Sequence, residues 1–366
     1  MVAVSARLET EFPGSNPVSR RFAPLLILLA LILLGYWLRV HNLDAFSFWT
    51  DEGLTPERSG YPMAQILRND IVIQGIVTKD THPPLYYLVI HLTRQLFGVS
   101  DFAFRYPSVL FSVLLIPLIY QLGRGLVPSP KIPSPRDANQ SPPPSGIGLG
   151  RGPAALGLIV ALLAAVNPLH VYYSQEARMY TLLALLATGM SYALWRAIEE
   201  AELTQSSPRV PRAQREDASW RSLPPSRSLR EVLLLRLLLY GILAALALYT
   251  HYTAVFLVAA QALFWGWLLW RAGLRWVIVA VVGVGGLAAV PLVPYTLPRL
   301  FNGAEANYYP VAPLTVLQDV ARFFHLGLTI DYAQTPAVFF TVLGVAMAAL
   351  GPWAARPWLR QLFQLA

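Results

Sequence analysis

The chain has 366 residues, 55% of them hydrophobic and only 13% charged, with a net charge of +8. Soluble domains usually carry about 25% charged residues, so this composition, with a mean hydropathy of +0.48, excludes an ordinary soluble protein. There is no cysteine, which excludes disulfides, thiolate metal sites and cysteine nucleophiles.

The apolar runs are continuous and rich in Leu and Ala, without the strict alternation of a β-barrel. The chain therefore reads as an all-α polytopic membrane protein. Its basic excess is mostly arginine, as in cytoplasmic loops, and needs no nucleic acid to explain it. Residues 1–21, ending in Arg20 and Arg21, read as a disordered cytoplasmic arm, and residues 22–366 as one transmembrane domain. The first span is 22–40, an uncleaved helix rising about 1.5 Å per residue through a core of about 30 Å.

Residues 41–102 follow, with Asp44, Asp51, Glu52, Glu57, Asp70, Asp80 and Asp101. This stretch is too long for a turn and is predicted to be an outer loop holding short surface helices. Within it, 84–98 places His91, Arg94 and Gln95 on one helical face, the pattern of an interfacial helix lying flat. With 84–98 flat, every basic loop falls on one side of the membrane, as the positive-inside rule asks.

The second span is predicted at 103–123. Residues 124–152, rich in Pro, Ser and Gly, cannot build a core and read as a disordered cytoplasmic insertion. Spans at 153–170 and 179–197 lead to a basic cytoplasmic loop, 198–230. The apolar stretch 231–270 is too long for one helix and is split near Tyr249–Thr253. A seventh span at 276–297, an outer loop at 298–335 with Glu305, Tyr308 and Tyr309, and an eighth span at 336–353 complete the reading.

Most acids, histidines and tyrosines thus fall on outer segments, which places a polar site at one membrane face. Asp51 and Glu52 have two readings. A carboxylate near a membrane is costly unless solvated, paired or functional; Asp51 is either a general base or a solvated cap. Asp80 or Thr81 is predicted to cap a helix beginning at Pro83-Pro84. His82, at that helix start, is a candidate phosphate or metal contact. In Tyr172–Tyr180, Arg178 is either a bidentate anion ligand or the structural partner of Glu176, among tyrosines of an interfacial belt. Arg105 is a second candidate phosphate ligand or a snorkelling arginine. His251 and Tyr252 lie at an outer turn.

Four motifs stand in order after the first span: Trp49-Thr50-Asp51-Glu52, Asp80-Thr81-His82-Pro83-Pro84-Leu85-Tyr86-Tyr87, Phe104-Arg105-Tyr106-Pro107-Ser108, and Tyr172 through Tyr180. On these residues the chain resembles the polyprenyl-phosphate-sugar-dependent glycosyltransferases of the GT-C fold, in the protein O-mannosyltransferase and aminoarabinose transferase branch (glycosyltransferase family 39 and relatives). The resemblance covers about residues 22–300. It implies a GT-C fold of about eight transmembrane helices with interfacial helices in the first outer loop. It also implies a polyprenyl-phosphate sugar donor and a protein or lipid hydroxyl acceptor outside the cytoplasm, with inversion at the anomeric carbon.

On that resemblance Asp51 is the base, with Glu52 and Asp80 in support. His82, Arg105 and Arg178 hold the donor phosphate, and Trp49, Tyr86, Tyr173, Glu176, Tyr180, His251 and Tyr252 line the pocket. A divalent metal ion on Glu52, Asp80 and His82 is the cofactor the resemblance allows, since some relatives use a metal and others do not. Relatives are usually longer, which reads this chain as a fragment or a minimal form. The rival reading is a transporter or flippase of lipid-linked sugars. Against it stand the lack of an internal repeat and the scarcity of charges within the spans.

Overall fold

The computed structural model describes residues 17–126 apart from 74 and 81, residues 153–206 and 229–271, and a few isolated positions beyond. The arm before residue 17, most of the insertion, most of the loop at 198–230, the seventh and eighth spans and the outer loop with Glu305 lie outside the described residues.

The long helices are α1 (Pro17–Val40), α5 (Asp101–Leu126), α6 (Pro153–Val166), α8 (Tyr180–Ser206), α9 (Leu229–Thr250) and α10 (Ala254–Arg271). Among the described residues, α1 from Phe22 and α5 are each long and apolar enough to cross a membrane, and α6 with the short α7 (Pro168–Ser174), bent by 53°, makes either a broken span or a re-entrant loop. The outward side of α1 is Leu25, Leu26, Leu29, Leu33 and Trp37, all exposed, a surface suited to lipid chains. These helices make the chain an integral membrane protein. The break between α9 and α10 falls at His251–Thr253, inside the predicted split.

The predicted third span is not one helix. Pro168 has no N–H for the carbonyl four residues back, and the residue before a proline is kept out of the helical region. Asn167 is extended (φ −60°, ψ 122°), and its side chain accepts from the His170 N–H to start α7 afresh.

Two apolar clusters hold the helices together. One joins Leu28 of α1, Ile116 and Tyr120 of α5, and Leu158, Ala161 and Ala165 of α6. The helices come close where Gly157 faces Tyr120, whose ring a Cβ at 157 would crowd at 2.8 Å. The other cluster gathers Tyr86, Tyr87, Ile90, Phe104, Met179, Met190, Tyr240 and Ala247. It packs the long loop between α1 and α5 onto α8 and α9.

That loop holds α2 (Thr50–Ser59), α3 (Met63–Arg68) and α4 (Leu85–Phe97), as its length predicts. It also holds a hairpin, β1 (Asp70–Ile73) against β2 (Ile76–Lys79), antiparallel with Asp70 opposite Lys79 and Ile73 opposite Ile76. The all-α reading is corrected here. The β-branched residues Ile71, Val72, Ile73, Ile76, Val77 and Thr78 favour strands, and Gly75 supplies the left-handed turn (φ +80°). The polar side of α4 packs on α2, with His91 Nδ1 on the Ser59 carbonyl at 2.8 Å and Arg94 donating to the Pro56 carbonyl at 3.2 Å. The cap expected from Asp80 or Thr81 is not made, because Pro84 occupies the N-cap of α4 without a side-chain bond.

Candidate active site

Phe48 and Trp49, neighbours in an extended segment, point apart. Phe48 packs inward against Phe104 and beneath the Arg105 guanidinium. Trp49 stays half-exposed at 46% and caps α2 in extended conformation. The next two acids part in the same way. Asp51 is exposed in the first turn of α2, where the helix dipole favours a negative charge. Glu52 is 1% exposed.

Glu52 is fully engaged. Arg105 donates to it twice, Nε to Oε1 at 2.7 Å and Nη2 to Oε2 at 2.8 Å. The Ala177 N–H adds a third bond at 2.7 Å. The carboxylate thereby pins the start of α2 to α5 and to the connection between α7 and α8. Arg105 also donates through Nη1 to the Leu43 and Phe46 carbonyls, at 2.9 and 2.8 Å. Four of the five N–H groups of a guanidinium are then satisfied within the protein.

Asp80 is also buried, at 1%, and pairs with Arg58 at 2.5 Å. Arg58 donates to the Tyr87 hydroxyl at 2.6 Å. The other Asp80 oxygen accepts the His82 backbone N–H at 2.9 Å and lies 3.5 Å from His82 Nδ1. Nδ1 thus faces Asp80 and Nε2 faces Arg178.

Arg178 is the residue on which the exposed side converges. It is 2% exposed, donates from Nη1 to the Asp51 carbonyl at 3.0 Å, and brings Nη2 to within 3.5 Å of His82 Nε2. Among the described residues its buried Nε has no hydrogen-bond partner. Its own carbonyl accepts from Ser108 Oγ at 3.1 Å. Around it run Tyr173 on Tyr180 (4.8 Å), Tyr180 on His251 (6.4 Å) and His251 on His82 (5.5 Å). Burial, with His82 and Arg178 nearby, holds the His251 imidazole below its ordinary pKa, so its neutral form is favoured.

Glu176 is 6% exposed, and among the described residues its Oε2 has no hydrogen-bond partner. Burial raises its carboxyl pKa above the usual range, against hydrogen bonds from Tyr172 and Trp49. Tyr252 is half-buried beside His251. An apolar cavity of about 370 Å³ adjoins this group, lined by Leu169, Tyr173, Tyr180, Leu183, Ala187 and Leu257.

The structure thus brings together Trp49, Asp51, His82, Tyr173, Glu176, Arg178, Tyr180 and His251. It sets three candidates apart. Arg105 is an internal brace on Glu52. Glu52 is sealed beneath Asp51. Tyr86 is 0% exposed, so it lines no pocket, and its hydroxyl meets Ser108 Oγ at 2.8 Å. The metal set also fails on its donors. Among the described residues no three His, Asp or Glu side chains converge on one point. Glu52 and Asp80 each serve a different arginine. Arg58 and Ser108 are supports that the sequence reading missed; Ser108 ends a motif, while nothing in the sequence links Arg58 to Asp80.

Comparison with known proteins agrees with this architecture. Residues 81–131 match the family model for dolichyl-phosphate-mannose-protein mannosyltransferases, a segment that holds His82, Arg105, α4 and α5. The apo oligosaccharyltransferase of Archaeoglobus fulgidus is similar in structure over 94% of this chain and 34% of its own, with a TM-score of 0.50 and 15% identity. The chain has the GT-C fold. The S. cerevisiae protein O-mannosyltransferase Pmt1–Pmt2 complex bound to the sugar donor is also similar, over 79% of this chain and 35% of that one, with a TM-score of 0.46 and 17% identity. The GT-C chain described here spans about a third of the length of both structures. No curated protein matches it by sequence.

Proposed function

We propose that the protein is a membrane glycosyltransferase that moves a sugar from a polyprenyl phosphate to a hydroxyl acceptor at the non-cytoplasmic face. One observation carries this reading. Arg178 ties the backbone of Asp51 to the neighbourhood of His82, so a solvent-facing carboxylate and a buried cation share one small site.

In the proposed reaction the acceptor oxygen attacks the anomeric carbon, and the bond from that carbon to the phosphate oxygen breaks. Asp51 takes the acceptor's proton. The phosphate leaves with the electron pair, its charge stabilised by Arg178 in a water-poor setting. His82 lies on the same side and orients the phosphate, while Trp49 and Glu176 bound the sugar. The cavity beside Tyr180 is apolar and of a size that suits the first part of a lipid chain. Direct displacement of this kind inverts the anomeric centre.

The decisive experiment is a transfer assay on purified protein with a small panel of polyprenyl-phosphate sugars, run beside Asp51→Asn. Sugar transfer that is lost in the variant, with donor binding kept, supports the reading. Transfer by the variant at the wild-type rate refutes Asp51 as base. Donor crossing vesicles without sugar transfer would favour the transporter reading.

A further inference from the structure

Arg39 is the most completely buried arginine among the described residues, at 0% exposure in the last turn of α1. Its guanidinium joins three helices. Nε donates to Ser112 Oγ of α5 at 2.7 Å. Nη1 donates to the Gly35 carbonyl of α1 at 2.9 Å and to the Ala165 carbonyl of α6 at 2.7 Å. Nη2 donates to the Ala164 carbonyl at 2.9 Å.

The last two partners are informative. In an unbroken helix the N–H of residue 168 would bond the carbonyl of Ala164, and that of residue 169 the carbonyl of Ala165. Residue 168 is proline and has no N–H, and the 53° bend carries residue 169 away. Two buried carbonyls are left at a helix end, where a cation is favoured. Arg39 supplies both bonds.

The other end of α7 returns to the same turn of α1. Gln175 Nε2 donates to the carbonyls of Leu38, Arg39 and His41, at 3.4, 3.3 and 3.0 Å. The seven-residue α7 is thus flanked by residues bonded to the end of α1, Ala164 and Ala165 before it and Gln175 after it. The next residues are those of the site: Ala177 donates to Glu52, and Arg178 to Asp51. Gly35 belongs to the same arrangement, because a Cβ there would run into Ile116 Cδ1 and lie 3.3 Å from Arg39 Nη1.

We infer that Arg39 is a positioning residue for transfer. It stands in for the N–H that Pro168 lacks, keeps α6 and α7 bent, and so fixes where Ala177 and Arg178 meet Glu52 and Asp51. The role in transfer rests on the proposed function; the cap itself does not. The test uses four full-length proteins in detergent: wild type, Arg39→Met, Pro168→Ala and the double variant. Thermal midpoints and steady-state kinetics below those midpoints are measured on each.

Arg39→Met leaves two buried carbonyls unpaired and lowers the midpoint by about 5 °C or more. Pro168→Ala alone changes the midpoint little, since Arg39 still holds the carbonyls. The double variant recovers most of the loss, because position 168 then has a backbone N–H of its own to donate to the Ala164 carbonyl. Its helix now runs straight, however, so its kcat stays about tenfold or more below wild type. A double variant no more stable than Arg39→Met overturns the cap. A double variant that regains both stability and wild-type kcat overturns the positioning role. A wild type that transfers no sugar at all overturns the reaction and the positioning role with it, while the midpoints still decide the cap.

Discussion

Arg105 and Arg178 are buried almost equally, at 4% and 2% exposure, yet they are equipped for different tasks. Arg105 meets a buried carboxylate with two parallel bonds and gives its remaining nitrogen to backbone carbonyls. It has no charge left to offer a ligand. Arg178 meets the Asp51 carbonyl, the His82 ring and the Tyr180 side chain, and among the described residues its Nε has no hydrogen-bond partner. Among the described residues no carboxylate is bonded to it directly; Asp51 and Glu176 act on it only through space. Burial alone does not identify a substrate ligand; the partner's charge does. The adjacent acids repeat the lesson, since Glu52 is neutralised and sealed while Asp51 is open to solvent.

Four measurements sharpen or break this contrast. The largest effect is expected at Asp51. Asp51→Asn keeps size and loses the basic oxygen, so turnover should fall by about 10²–10⁴-fold while the donor still binds. Arg105→Ala should come next, and on stability rather than on affinity. It strands the Glu52 carboxylate, and breaking a buried pair costs about 3–5 kcal/mol, read in a denaturation midpoint. An Arg105→Ala protein of normal stability with weakened donor binding would reverse the assignment of the two arginines.

Arg178→Ala should fold and bind donor about tenfold or more weakly, because bonds to charged groups contribute about 1.5–3 kcal/mol. Isothermal titration with a sugarless polyprenyl phosphate reads this directly, and unchanged affinity would return Arg178 to a structural role. The smallest effect concerns Glu176. Its carboxyl pKa is raised from an ordinary 4.5 by burial, so the folded state keeps the proton longer than the unfolded one, and stability falls as pH rises through that window. Glu176→Gln removes this penalty. Its midpoint should exceed the wild type by about 2 °C at pH 8, with the gap closing as pH falls towards 4.5. A constant gap across that range would mean that Glu176 ionisation does not matter to folding.

Much of the fold was legible because bilayer crossing imposes a length and an apolar composition. The first two spans, the split at His251 and the polar face of α4 all follow from that constraint. The hairpin was missed although its signals are local: β-branched runs around Gly75. The bend at Asn167-Pro168 was also readable from proline chemistry, but apolar continuity hid it. In the site, Asp51 and Arg178 stand out as charges beside spans. Arg105 does not declare its role, because Glu52 lies 53 residues earlier and only the fold unites them. Arg39 is the extreme case. An arginine closing a span looks like an interfacial anchor, and nothing local says that it serves a helix 125 residues away.

The hairpin has a consequence of its own. Its strands leave and return through one narrow neck, where Asp80 donates its N–H to the Asn69 carbonyl at 2.9 Å and Asn69 Nδ2 donates to the Asp80 carbonyl at 3.1 Å. Asn69, in left-handed conformation (φ 62°), turns the chain into that neck. Arg58 and His82 engage Asp80 below the neck, not the strands above it. The hairpin is fastened near its base, where Arg68 and Lys79 meet Asp70 and Ile71 is buried. Its tip at Gly75 has open space around it, so an affinity tag inserted there should leave the contacts of Asp80 with Arg58 and His82 in place.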